Sequence, residues 1–211
     1  MEKVLLHPVY FPNIATLCTM VKNKVLWEVN DNYQKQTYRN RCHIATDSGR
    51  HLLTIPIKHV GGNTGRQKYK DVQIDNSYRW QQQHWRTLQT AYRTSAYFEF
   101  YEDDLLPLYS KDFKFLMDFN FATIQFLSEN LNIEISEAQT QTYQEHYDDL
   151  LDGRSLVNAK KPLVFKQDSY FQVFDDRNDF ITNTSGLDLL FNEGTNAHDY
   201  LEKQNAPLPH A

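Results

Sequence analysis

The chain has only two cysteines, Cys18 and Cys42, in 211 residues, and they form no C-x-x-C pair. Two thiols cannot build a tetrahedral zinc site, and so sparse a supply gives no disulfide scaffold, so both are expected reduced. Long apolar runs are also missing. Nothing approaches the roughly 18 residues a membrane helix needs, and the opening MEKVLLHPVYF lacks the apolar core and small-residue cleavage site of a signal peptide. A cytoplasmic protein with no membrane insertion is the expectation. Positive charge is short as well: 22 Lys and Arg against 27 Asp and Glu leave a net charge of -5. Overall attraction to nucleic acid is therefore not expected. The seven glycines supply no nucleotide fingerprint, because HVGGNTGRQK lacks both the Walker Lys-Ser/Thr pair and the G-x-G-x-x-G order. No H-E-x-x-H, G-x-S-x-G or kinase signature is present. His43, His51 and His59 recur every eight residues without a cysteine or carboxylate at metal-like spacing, so no metal site is expected, and no cofactor is assigned.

What is abundant is the aromatic ring: 13 Tyr, 13 Phe and 3 Trp, 14% of the chain. Such rings fill cores, and tyrosine adds a polar end suited to sugars and bases. Apolar residues at 40% are enough for a sizeable core in a chain of this length, read as one domain over 1–211. KVLLH (3–7) reads as a buried strand stopped by Pro8. Asn13 is placed to cap a helix over 14–23, with Ile14, Leu17, Cys18 and Val21 on one face. KVLWEV (24–29) reads as the next strand, so the opening is a βαβ unit. Further strands are expected at 51–60, 70–75 and within 162–174, with 61–69 a glycine loop. Helices are expected from Ser77 into AYFEFY, capped by Asn76 or Ser77, over 111–130, and over 185–194 with Gly194 as C-cap. Residues 134–161 read as a polar insertion, mobile or partly helical. The fold class is α/β (or α+β): an N-terminal βαβ unit with a mixed sheet, followed by helices packed on it.

Three stretches carry candidate chemistry. His7 ends a strand just before a helix whose first N–H groups and dipole favour anions, so a phosphate or carboxylate site with an imidazole beside it is one reading. A histidine bonded to backbone at a proline corner is the other. In NDNYQKQTYRNRCH, Arg39 and Arg41 could hold phosphate or carboxylate, Tyr33 and Tyr38 could stack on a ligand, and Asp31 could orient a hydroxyl. A solvated polar loop is the alternative. His84 lies on one helical face with Trp80 and Tyr92, as a core residue or as a base. Arg79, Arg86 and Arg93 read first as a solvated stripe, and FKFLMDFNF as core. LDLLFNEG packs Leu187, Leu190 and Phe191 inward, with Asp188, Asn192 and Glu193 either merely polar or reaching a pocket.

Taken together, HPVYFPN, NDNYQKQTYRNRCHI, HLLTIPI, the W…HW helix leading to AYRTSAYFEFY, and YFQVFDDRNDFITNTSGLDLLFNEG resemble the WbqC-like protein family, over about residues 4–201. The resemblance carries over His7, Pro8, Tyr10, Phe11, Pro12, Asp31, Tyr38, Asn40, Arg41, His84, Tyr92, Phe98, Tyr101, Asp188, Asn192 and Glu193. One departure stands out: the family's opening block has Gln before its proline–aromatic pair, whereas here His7 abuts Pro8. Some members of the family lie in gene clusters for O-antigen or other surface polysaccharides, and some carry a transferase label. The resemblance thus implies a cytoplasmic transferase acting on an activated sugar or phosphorylated metabolite. In that scheme His7 or His84 is the base and Asp31 orients it. Tyr10, Asn13, Tyr38, Arg39, Asn40, Arg41, Tyr92, Asp188, Asn192 and Glu193 bind the ligand, and whether His7, Arg41, His84 and Asp188 converge on one cleft is the test of the scheme. The alternative is a non-catalytic protein of the same pathway that binds a small molecule such as a nucleotide sugar. No oligomeric state follows from either.

Overall fold

A computed structural model describes residues 1–58, 67–160, 163 and 165–205. It opens with the expected βαβ unit. Strands β1 (Lys3–Leu6) and β2 (Lys24–Trp27) pair in parallel, Lys3 against Lys24 through Leu6 against Trp27, and helix α1 (Ile14–Lys22) makes the crossover. Asn13 caps α1: its Oδ1 accepts from the Thr16 N–H at 3.0 Å and the Thr16 hydroxyl at 2.9 Å. Every residue from Ile14 to Val21 is buried, as expected of a helix covered on all sides. Its covers are α5 (Gly186–Glu193) and α6 (Ala197–Lys203). The approach to α5 needs Gly186, where a Cβ would lie 2.4 Å from Leu17 Cδ1.

A third strand comes from the 134–161 segment. β5 (Leu151–Asp152) pairs in parallel with the other side of β1, giving the order β2-β1-β5. Two residues make a meagre ladder, and Arg154 supplies the rest of the hold. Its guanidinium donates to the carbonyls of Gln144 (2.7 Å) and Glu145 (2.6 Å) and to the Asp152 carboxylate (2.6 Å), and it lies over the rings of Tyr143 and Tyr147. Among its described residues no α-helix occurs; a 3₁₀ turn spans Arg154–Val157.

The second sheet is the antiparallel hairpin β3 (Arg41–Thr46) and β4 (Gly49–Thr54), joined through Asp47 and Ser48. β3 overlaps the stretch read as a polar loop. Its apolar residues, Cys42, Ile44 and Ala45, are buried while Arg41, His43 and Thr46 are partly exposed, the alternation of a half-buried strand. β4 stops at Thr54, short of the expected residue 60, because Pro56 has no N–H and restricts the residue before it. Residues 59 and 60, and loop 61–66, lie outside the described residues. The strand expected at 70–75 is a 3₁₀ turn at Tyr69–Asp71 followed by isolated bridges, Gln73 to Phe115 and Ile74 to Ile57.

The single helix expected from Ser77 is two, α2 (Trp80–Tyr92) and α3 (Phe98–Ser110). Ser95 makes the break: its N–H and hydroxyl both bond the Tyr92 carbonyl, at 2.9 and 2.8 Å, which turns the chain out of the helix. Arg79, not Asn76 or Ser77, precedes α2 and makes no side-chain cap; Ser77 is held instead by the Asp75 carboxylate. α4 covers Leu116–Asn130, starting later than residue 111, where the backbone is extended. Among the described residues of 162–174 there is no strand. There Gln172 substitutes its side-chain amide for a ladder, accepting from the Ile181 N–H (2.9 Å) and donating to its carbonyl (3.1 Å). α5 ends at Gly194, as expected, with φ of +55°. Among the described residues no helix is long and apolar enough to cross a membrane.

Candidate functional site

The carboxyl ends of β1 and β2 deliver His7 and Glu28 to one place, and the following loop adds Asp31 and Arg39. Arg39 is fully buried. Its Nη2 donates to Asp31 Oδ2 and lies against His7 Nε2, each at 2.9 Å, while His7 Nε2 is 3.3 Å from Asp31 Oδ2. His7 Nδ1 is 3.3 Å from the Glu28 carbonyl. These partners assign the tautomer: Nδ1 carries the proton and Nε2 accepts from Arg39. Burial, then the Arg39 charge, holds the His7 pKa well below its ordinary value, so the ring is neutral. Its one lone pair is committed to Arg39. Arg39 lies over the Tyr69 ring, 5.2 Å from its centre, and its Nε and Nη1 have no partner among the described residues.

A second buried cluster takes Tyr10 and His84. The Tyr10 hydroxyl lies 2.9 Å from His84 Nδ1 and 2.8 Å from the Tyr109 hydroxyl. Burial pushes the His84 pKa down to about 4, so the ring is neutral. The Tyr10 hydroxyl thus links His84 and Tyr109 in one buried chain.

The third cluster surrounds Asp188, a fully buried carboxylate. It accepts from Tyr92 (2.7 Å), Tyr170 (2.5 Å), Gln172 (2.7 Å) and Thr184 (3.2 Å). These donors favour the charged form, yet burial outweighs them and raises the Asp188 pKa. Asn192 donates to the Asp188 carbonyl at 2.7 Å, and Glu193 ends the helix, its pKa raised by burial. His7, His84 and Asp188 therefore sit in three separate clusters rather than in one cleft.

A more open space lies elsewhere: a cavity of about 680 Å³ lined by Tyr38, His43 of β3, Arg50 of β4, the Ser155–Lys160 stretch that follows β5, and Thr182 and Asn183. Of the expected site residues only Tyr38 lines it. Backbone bonds fix its walls: Tyr38 N–H to the Val157 carbonyl (2.9 Å) and Ser185 N–H to the His43 carbonyl (2.7 Å). The Tyr38 ring meets His43 edge-on at 5.9 Å. Burial, then Arg50, Arg41 and His51, push the His43 pKa down to about 4, and its Nδ1 has no partner among the described residues. Arg50 donates to the Thr182 carbonyl at 2.6 Å. Arg50 and Lys160 are exposed cations on a wall with no carboxylate, which suits an anion. Asn40 and Arg41 line a different cavity, of about 520 Å³. Among the described residues, no group of three or more His, Cys, Asp or Glu side chains is arranged to hold a metal ion.

The sequence model of the WbqC-like protein family matches residues 8–161 of this chain. The chain belongs to the WbqC-like family. Within the matched range lie Asp31, Arg39, His84 and most of the wall of the larger cavity; the Asp188 cluster draws on residues beyond it. The WbqC-like chain is also 28% identical over 195 residues to an uncharacterized protein of Mycobacterium tuberculosis, covering 80% of this chain and 83% of that one. No solved structure matches it.

His43, Arg50 and Lys160 were not among the residues expected to act. Arg41 and His43 alternate with apolar residues along β3, which signals a half-exposed strand face. Nothing in the sequence shows that residues 155–160 close over that face.

Proposed function

We propose that this protein binds an activated sugar or a similar phosphorylated metabolite in the Tyr38–Lys160 cavity and acts there as a transferase in surface polysaccharide assembly. The observation that carries this reading is the pairing of two cations, Arg50 and Lys160, with an aromatic ring, Tyr38, and a neutral imidazole, His43, around a space of about 680 Å³. That volume is typical of small-molecule sites. The cations take the phosphate groups and Tyr38 packs on a flat or hydroxylated ring. An acceptor hydroxyl attacks the sugar carbon, the carbon–phosphate oxygen bond breaks, and its electron pair leaves on the phosphate beside Arg50 and Lys160. The acceptor proton goes to His43. His7 and His84 do not line this cavity and take no part in the step; a positioned base such as His43 typically contributes about 10²–10⁴-fold.

The engagement of those two histidines favours a second reading, a non-catalytic binder of the same ligands. Calorimetric titration with UDP-glucose and related nucleotide sugars, with release of nucleoside diphosphate followed in parallel, separates the two. Binding lost in Arg50→Gln, with turnover lost in His43→Gln while binding survives, supports the transferase. Binding without release of diphosphate to any acceptor supports the binder, and no binding of any nucleotide sugar sinks both.

A further inference from the structure

The second cavity, which shares no lining residue with the Tyr38 cavity, holds features that the proposed reaction does not use. It encloses about 520 Å³ between the loop before β3, the end of β4 and the turn before α2. Two adjacent lining residues each carry a buried polar atom that has no partner among the described residues. Asn40 is 93% buried by its 7% exposure; its Nδ2 donates to the Ile55 carbonyl at 2.9 Å, which fixes the amide orientation. Its Oδ1 has no donor among the described residues, and neither does the buried Arg41 Nε have an acceptor. An unpaired buried polar atom costs about 1–3 kcal/mol, a cost that a ligand bonded there relieves.

The rest of the lining states what such a ligand must be. Arg41 and Lys35 face one carboxylate, Asp75, so the site carries a net positive charge. Asp75 Oδ1 is taken by Ser77, from both its N–H and its hydroxyl. Tyr33 and Tyr78 supply rings, and Tyr78 is 63% exposed. Tyr33 stays a neutral phenol, its pKa pushed up to about 12 by burial. An acceptor at Asn40 and a carboxylate at Asp75 call for ligand hydroxyls; Arg41 and Lys35 call for an anion; the tyrosines call for a ring face.

We propose that the Asn40–Arg41 cavity is a second ligand site that binds a hydroxylated ring bearing one negative group, an acidic sugar or a sugar phosphate. The anion lies between Arg41 and Lys35, a ring hydroxyl donates to Asn40 Oδ1, and the ring packs on Tyr33 and Tyr78. The site stands apart from the Tyr38 cavity and does not depend on the chemistry proposed there.

The test is a titration of the intact protein with sodium glucuronate, glucose 6-phosphate, glucose and inorganic phosphate, followed through the NMR signals of the tyrosine rings. Either charged sugar should shift Tyr33 and Tyr78 with a dissociation constant at or below about 1 mM, and glucose should bind at least about tenfold more weakly. A response to glucuronate alone identifies a carboxylate ligand, and one to glucose 6-phosphate alone a phosphate ligand. Lys35→Gln, at an exposed position that does not threaten the fold, should weaken the charged sugar about three- to tenfold, the net worth of one ordinary hydrogen bond. Asn40→Leu and Arg41→Gln should abolish the shifts. The proposal is overturned if neither charged sugar moves Tyr33 and Tyr78, if glucose or inorganic phosphate binds as tightly, or if Lys35→Gln changes nothing. Shifts confined to Tyr38 would overturn it too, while leaving the reading of the first cavity intact.

Discussion

Replacing Arg39 with methionine should destabilise the protein strongly at neutral pH and less strongly in mild acid. Arg39 is 0% exposed, and one nitrogen, Nη2, serves both Asp31 and His7. Removing it leaves the Asp31 carboxylate, whose side chain is 11% exposed, facing a neutral imidazole with its lone pair turned toward it. Breaking a buried pair by deleting one partner costs about 3–5 kcal/mol. In a chain of this length that lowers Tm by about 10 °C. The pH dependence distinguishes this from simple loss of packing. Without the Arg39 charge, and with Asp31 Oδ2 at 3.3 Å, the His7 ring becomes the natural site for a proton. As pH falls toward 5.5, His7 charges, forms an ion pair with Asp31 and returns part of the lost stability. Urea denaturation of wild type and variant at pH 7.5 and 5.5 measures both quantities. A loss below about 1 kcal/mol, the size of an ordinary surface change, or an equal loss at the two pH values, would refute the account.

Two further outcomes follow from buried groups. The His84 pKa is about 4 in the fold against 6.5 for the free side chain, so the unfolded chain binds the extra proton in this range. Its contribution is therefore present above pH 6.5 and is lost as pH falls toward 4, about 3 kcal/mol in all. His84→Gln should flatten the fall in denaturation free energy between pH 7 and 4.5 by roughly one proton's worth, and parallel curves would show that His84 is not the buried neutral group described. Gly186→Ala places a methyl group 2.4 Å from Leu17 Cδ1 and 3.0 Å from Leu127 Cδ1. Overpacking of this kind costs about 1–3 kcal/mol; a variant as stable as wild type would mean that α1 and α5 can move apart freely.

The N-terminal βαβ unit was legible because its signals are local. Asn13 caps the helix whose apolar periodicity follows it, and Pro8 ends the strand before it. Gly194 was legible for the same reason, as a left-handed residue directly after an apolar run. Elements set by distant partners were not. β3 was hidden in a polar stretch because its apolar face is only every second residue, and the break between α2 and α3 rests on one serine turning back to Tyr92. β5 has too little sequence of its own to announce itself; it is a strand only because β1 offers an edge.

The candidate residues divide in the same way. His7, Asp31 and Arg39 were chosen for their chemistry and are joined through Arg39 Nη2, since β1 and the loop after β2 reach the same end of one sheet. Tyr10, His84, Tyr92 and Asp188 were also chosen for their chemistry, yet they are bonded within the protein: Tyr10 to His84 and Tyr109, and Asp188 to Tyr92, Tyr170 and Gln172. A sequence displays the functional group but not its partners. It is the partners that decide whether a histidine is available.

The Arg154 clamp bears on how firmly the larger cavity is framed. The Ser155–Lys160 wall follows closely on β5, whose two residues pair with β1, and the Tyr38 N–H holds it again through the Val157 carbonyl. Arg154, at the head of that wall, works as a peg: its guanidinium gathers two carbonyls, one carboxylate and a pair of rings from residues 143–152. Pulling the peg would leave the hydrophobic interior whole and loosen the wall where it leaves the sheet. The shape of the cavity and the stability of the protein are in that respect separable properties, set by different residues.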